Sequence, residues 1–140
     1  MNVVIQQTVP GDFGAIERIL AEAELSGPWF TPAALAKGID HNDGLYFVAE
    51  SDGEVVGTIF ASHDGWYHGY IYKLAVLAKC RRMGIGRQLV ERVMEELSKL
   101  GVDWCCCGIE VGNQSSLALF ESLGFDVGND HHFAHKIISH

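Results

Sequence analysis

The chain is short of positive charge: 10 lysines and arginines stand against 18 aspartates and glutamates, a formal net charge of −8 over 140 residues. A sequence-independent nucleic-acid binder needs a basic face to displace counterions from phosphates, so a nucleic-acid partner is not expected. No apolar stretch approaches membrane-spanning length, so no membrane partner is expected either. The first residues, Met1 to Gln7, have no basic region and no long apolar run, which leaves no apparent signal peptide and points to a cytoplasmic protein. The four cysteines, Cys80 and the run Cys105-Cys106-Cys107, include no CxxC pair. Neighbours in a strand point to opposite faces, so the run reads as small hydrophobes in a reducing compartment. His131, His132 and His135 lack a cysteine or carboxylate partner in sequence and read as surface histidines, not as a metal site. Repeats, low-complexity tracts and linkers are missing, and the length fits one domain over residues 1–140.

The positive charge that exists is concentrated. Arg81, Arg82, Arg87 and Arg92 fall in one short segment of an acidic chain, which suits a small anionic ligand better than a polymer. Around it, apolar periodicity predicts the order β-α-α-β-β-β-α-β-α-β-β. Val3 to Gln7 reads as a strand. Phe13, Ile16, Ile19, Leu20 and Ala23 recur at helical spacing behind Asp12, a fair N-cap. Thr31-Pro32 opens a second helix to about Lys37. Leu45 to Glu50 and Glu54 to Ser62 flank the turn Ser51-Asp52-Gly53 and form a hairpin, with Tyr70 to Val76 as the next strand. Leu89, Val90, Val93, Met94, Leu97 and Leu100 mark an amphipathic helix stopped by Gly101. Trp104 to Val111 reads as a strand, and Gly112-Asn113 opens a helix to about Leu123. Phe125 to Val127 and His132 to Ile138 read as closing strands.

The segment Arg81-Arg82-Met83-Gly84-Ile85-Gly86 is the most informative. Glycine lets the backbone approach a ligand closely, and the helix behind it aims free N–H groups and the positive end of its dipole at that point. A pyrophosphate fits such a place. A nucleotide P-loop is ruled out because no Lys-Ser or Lys-Thr follows Gly86, and a dinucleotide fingerprint because the third glycine is missing. A strand-to-helix turn that merely needs glycines, with solvated arginines, stays open on the residues alone.

Arg81-x-x-Gly84-x-Gly86 resembles the Arg/Gln-x-x-Gly-x-Gly/Ala signature of the GNAT superfamily of N-acetyltransferases. The stretch Asn113-Gln114-Ser115-Ser116-Leu117-Ala118-Leu119-Phe120-Glu121-Ser122-Leu123-Gly124-Phe125 is similar to that family's second pattern. The resemblance implies an α/β fold of GNAT type: a central, mostly antiparallel mixed sheet with splayed fourth and fifth strands and helices on both faces. It implies acetyl-CoA as co-substrate and a small-molecule or peptide amine as acceptor, with a homodimer allowed. Backbone groups of Leu74, Ala75 and Val76 would pair with the pantetheine arm. Arg81, Arg82, Met83, Gly84, Ile85, Gly86 and Arg87 would hold the pyrophosphate. Asn113 would contact the arm, Ser116 and Phe120 would lie beside it, and the Val76 N–H would face the thioester oxygen.

Transfer needs an amine that has lost its proton. Glu110, at the end of the fifth strand, is the first choice for the base, against a solvated strand-end glutamate. A fourth-strand glutamate used elsewhere in the family is replaced by Tyr70. Tyr70 and Tyr72 share one strand face, where they either hold an amine by cation–π attraction, relay a proton through water or pack in the core. Phe120 stands where many relatives carry a tyrosine that protonates the leaving thiolate. The chain is therefore expected to be an acetyl-CoA-dependent N-acetyltransferase, or alternatively an acetyl-CoA-binding module with little turnover.

Overall fold

The computed structural model describes residues 2–128 and 131–138. It falls into two parts, residues 1–108 and residues 109–140.

The first part is a five-stranded sheet in the order β1-β2-β3-β4-β5. Its strands are β1 (Val3–Gln7), β2 (Tyr46–Ser51), β3 (Glu54–His63), β4 (His68–Val76) and β5 (Trp104–Cys107). Neighbours pair antiparallel except β4 with β5, which are parallel. Helices α1 (Phe13–Glu22) and α2 (Pro32–His41) pack on one face and α3 (Ile85–Lys99) on the other.

Period-2 alternation sorts β2 between the two faces. Tyr46 and Val48 join Phe13, Ile16, Ile19, Leu20 and Leu35 in one buried cluster. Phe47, one residue along, lies under the Arg92 guanidinium of α3, 5.0 Å from its ring centre. On the α3 face the sheet carries glycine where the helix comes close. A Cβ at Gly57 would sit 3.2–3.3 Å from Leu89 and Ile85, and one at Gly69 would sit 3.1–3.3 Å from Leu97 and Val102. Arg92 also donates to the Ile5 carbonyl at 3.1 Å. By ladder alternation that carbonyl faces away from β2, so the guanidinium blocks part of the β1 edge.

Several boundaries differ from those read in the sequence. Helix α2 runs to His41 rather than Lys37, because Gly38 interrupts nothing: it leaves room for Tyr46, whose Oη would lie 2.5 Å from a Cβ placed there. Strand β5 stops at Cys107 rather than Val111, since Gly112 turns left-handed at φ 94° and the Asn113 N–H bonds back to the Glu110 carbonyl.

In the second part α4 (Gln114–Ser122) is the regular element. The strands expected at 125–127 and 132–138 are absent among the described residues. A strand needs a ladder partner, and here the Phe125 N–H closes the end of α4 on the Phe120 carbonyl, while Phe133 and Ile138 lie 80% and 94% exposed.

Candidate active site

Strand β4 has two unlike halves. From Gly69 to Ile71 it is paired on both sides, with β3 and with β5. The ladder to β5 ends at Ile71↔Cys107, and β4 runs on to Val76 with that edge unpaired by any described residue of the first part. The change coincides with a β-bulge. Between the rungs Phe60↔Tyr72 and Thr58↔Ala75, Ile59 alone faces Lys73 and Leu74, and Lys73 takes a left-handed φ of 54°. The extra residue shifts the parity of the strand, so that Tyr72 and Ala75 both pack on the α1–α2 side.

The bulge also decides which backbone groups face the open edge. The Leu77 N–H donates to Val56 at 2.8 Å, so the next rung, Gly57↔Val76, is one whose polar groups point outward. The Val76 N–H thus faces the open side, and the Val76 carbonyl accepts from Arg81 Nε at 3.3 Å. Ala75, opposite Thr58, turns its own groups toward β3.

A single 3₁₀ turn, Ala78–Cys80, links β4 to the arginine loop, and Glu22 of α1 holds it by accepting the Ala78 N–H at 2.6 Å. In the loop, Arg82 (φ 67°) and Gly84 (φ 76°) are both left-handed, and Arg81, Arg82, Met83, Gly84 and Arg87 are exposed. Gly84 is the N-cap of α3 and offers no side-chain acceptor, and no acidic residue lies in the first turn. The first N–H groups of this helix, from Ile85 to Arg87, therefore present partial positive charge outward. Ile85 itself is buried and anchors the turn beneath.

Tyr70 and Tyr72 share a face, their ring centres 5.9 Å apart. Burial, then the neighbouring Cys106 and Cys107, pushes the Tyr70 hydroxyl pKa up. Burial, then Tyr46, pushes Tyr72 up further. Both hydroxyls are therefore neutral at physiological pH. Sequence reading missed Tyr46, whose hydroxyl lies 2.7 Å from that of Tyr72 and whose ring stacks on Phe60 at 4.2 Å. The pair is 26 positions apart and no local pattern signals it. Phe30 belongs to the same aromatic group, 6.2 Å from Phe60, with the Lys73 ammonium 5.0 Å above its ring. A shallow recess lined by Phe13, Ile16, Leu20, Phe30 and Leu35 contains none of the expected site residues.

The three consecutive cysteines are half-buried, and their thiolate forms are disfavoured. Burial, then neighbouring thiols, raises Cys105 to about 12 and Cys107 to about 11, and burial raises Cys106.

In the second part Glu110 is exposed, and its backbone carbonyl accepts the Asn113 N–H at 3.0 Å. Asn113 caps α4: its Oδ1 accepts from the Ser116 N–H at 3.1 Å and the Ser115 hydroxyl at 3.3 Å. Phe120 is buried edge-on against Phe125, ring centres 5.0 Å apart.

Residues 14–125 match the Acetyltransferase (GNAT) family. The chain belongs to that family. Its fold is shared with the Ard1 protein of Thermoplasma volcanium, at 20% identity over 92% of this chain and 86% of that one (TM-score 0.81). The ribosomal-protein-S18-alanine N-acetyltransferase of Escherichia coli is similar at 25% identity over 91% and 80% of the two chains (TM-score 0.76). AAC(6')-Iy, solved with the bisubstrate analogue CoA-S-monomethyl-acetylneamine, matches at 20% identity over 98% and 99% (TM-score 0.78). The GNAT family uses acetyl-CoA, and the open β4 edge followed by an uncapped helix start is an arrangement such a co-substrate fits. No helix among the described residues is long and apolar enough to cross a membrane.

Proposed function

We propose that this GNAT protein moves an acetyl group from acetyl-CoA to a primary amine by direct attack within a ternary complex. The observation that carries the reading is the continuity of β4 with α3: an unpaired strand edge leads through an arginine-bearing loop into a helix start with no cap of its own. Peptide-like amides of the pantetheine arm suit the open edge as an added strand, with Val76 as the exchanging residue. The pyrophosphate suits the Arg81–Arg87 loop and the α3 N-terminus. The family's second pattern assigns Asn113, Ser116 and Phe120 to the arm as well.

In the transfer, the amine lone pair attacks the thioester carbonyl carbon and the C–O π pair moves onto oxygen, where the Val76 N–H stabilises it. Collapse breaks the C–S bond and expels the thiolate. The proton lost by the amine passes through water to Glu110, which is exposed. Tyr70 and Tyr72 orient the amine as donors and through their ring faces. Phe120 has no proton to give, so water protonates the thiolate.

That same Phe120 favours a second reading, a protein that binds acetyl-CoA with little turnover. Calorimetric titration with acetyl-CoA, paired with free-thiol release over a panel of amines, separates the two. Binding with amine-dependent release supports transfer. Binding without release supports the second reading, further strengthened if Phe120→Tyr turns release on. No binding by the folded protein rejects both.

A further inference from the structure

The open half of β4 is tied at both of its ends to the end of α1. At the bulge, the Lys73 ammonium donates to the Leu25 carbonyl at 3.2 Å and lies 5.0 Å from the centre of the Phe30 ring. Past the strand, Glu22 Oε1 accepts the Ala78 N–H at 2.6 Å. Between these two contacts run Leu74, Ala75 and Val76, the backbone proposed to pair with the pantetheine arm.

The end of α1 is itself fixed. The Leu25 N–H bonds to the Leu20 carbonyl at 2.8 Å and the Glu24 N–H to the Ala21 carbonyl at 3.1 Å, which is a Schellman ending. Glu24 fills its left-handed position at φ 60°, where glycine is usual. The Leu25 N–H is thereby spent inside the helix end, while its carbonyl is the one that Lys73 reaches. Leu20 is buried, and Ala23 and Leu25 pack against the same cluster as Tyr72, Ala75 and Leu77. The two contacts therefore start from a part of the molecule that has little freedom of its own.

This half of β4 has few ladder bonds of its own. Its ladder to β5 ends at Ile71, and the bulge interrupts the ladder to β3 between Tyr72 and Ala75. Backbone held by few bonds opens locally at low cost. A ligand that binds as an added strand must first order any backbone that is loose, and that cost is subtracted from its affinity. Side-chain bonds at both ends of the segment lower it.

We propose that Glu22 and Lys73 are positioning residues for acetyl-CoA, which together hold Leu74–Val76 in the extended form to which the co-substrate adds. The proposal rests on the acetyl-CoA reading given above, and it assigns neither side chain a contact with the ligand.

The test combines calorimetric titration of the full chain with acetyl-CoA and amide hydrogen exchange over residues 74–78 of the free protein. Glu22→Ala and Lys73→Met are each expected to weaken acetyl-CoA about three- to tenfold and to speed exchange in that segment. Glu22→Gln keeps an oxygen for the Ala78 N–H and should retain most of the affinity. Glu24→Gly relieves the left-handed φ and should raise the melting temperature. Added to Glu22→Ala, it should recover melting temperature without recovering affinity. If affinity returns together with melting temperature, the effect is one of global stability and the proposal falls. If the wild type binds acetyl-CoA and both Glu22→Ala and Lys73→Met bind it equally well, the proposal falls while the acetyl-CoA reading stands. If the folded wild type does not bind acetyl-CoA, that reading falls and this role falls with it, whatever the exchange rates show.

Discussion

Helices α3 and α4, each opening just after a left-handed glycine, begin in opposite ways. Helix α3 starts behind Gly84, left-handed at φ 76° and without a side chain to cap the first turn. Helix α4 starts behind Asn113, which takes the Ser116 N–H and the Ser115 hydroxyl on its own Oδ1. The contrast follows from what else holds each helix. Ile85, Leu89, Val90, Val93 and Leu97 are all buried along α3, so packing stabilises it without a side-chain cap on its first N–H groups. In α4 the buried side chain is Phe120, and the cap carries a larger share. In the proposed function, the missing cap on this well-packed helix, beside the arginines of its loop, is what leaves room for an anion.

Breaking α3's start is expected to have the largest effect. Gly84→Glu brings a carboxylate to the donors and should lower acetyl-CoA affinity by more than about 100-fold, roughly 3 kcal/mol. Its Cβ meets nothing within 4 Å, so the stability cost is conformational alone, about 1–2 kcal/mol. Gly101→Glu, at the other end of α3 with φ 80° and equally open space, carries a similar strain without the anion site. Calorimetry should show its acetyl-CoA affinity unchanged; equal losses in both variants would assign the effect to strain.

Arg82→Gly comes next and moves the two readouts in opposite directions. Arg82 holds φ 67° at a cost that glycine does not bear, so the melting temperature should rise slightly. Loss of its charge should weaken acetyl-CoA about tenfold, near 1.4 kcal/mol. A rise in both would remove Arg82 from the anion site.

How much of this contrast was legible in the sequence depends on how local each feature is. The glycine loop, the Thr31-Pro32 start of α2 and the Asp52-Gly53 turn are fixed by a few adjacent residues, and the structure has each where the pattern predicts it. The extent of β1, Val3–Gln7, follows from its flanking breaker in the same way. The bulge at Lys73 has no such signal, because a lysine at positive φ is held by the register of β3 and by its ammonium on the Leu25 carbonyl, not by its own preference. The Tyr46–Tyr72 pair depends on two strands meeting across β3 and on Gly38 standing clear. Phe125 to Val127 and His132 to Ile138 read as strands, but among the described residues they pair with no sheet edge.

On the α4 side, Asn113→Ala removes the cap and should cost about 1 kcal/mol, read as a lower melting temperature, with Asn113→Ser restoring most of it. No single side chain in the first turn of α3 has an equivalent effect, since none caps it.

The smallest change is the most discriminating. Asn113→Asp keeps the cap oxygen, adds negative charge at a helix N-terminus and removes only the Nδ2 amide. Stability at neutral pH should rise by about 0.3–1 kcal/mol. A carboxylate held by two donors has its pKa depressed, so this gain is present above about pH 4 and disappears as pH falls through the folded-state value. If the amide contacts the pantetheine arm, acetyl-CoA affinity falls severalfold while the melting temperature rises. If affinity stays level, Asn113 serves α4 alone, and the division between a helix start left for a ligand and one completed by the protein is sharper than the proposed site requires.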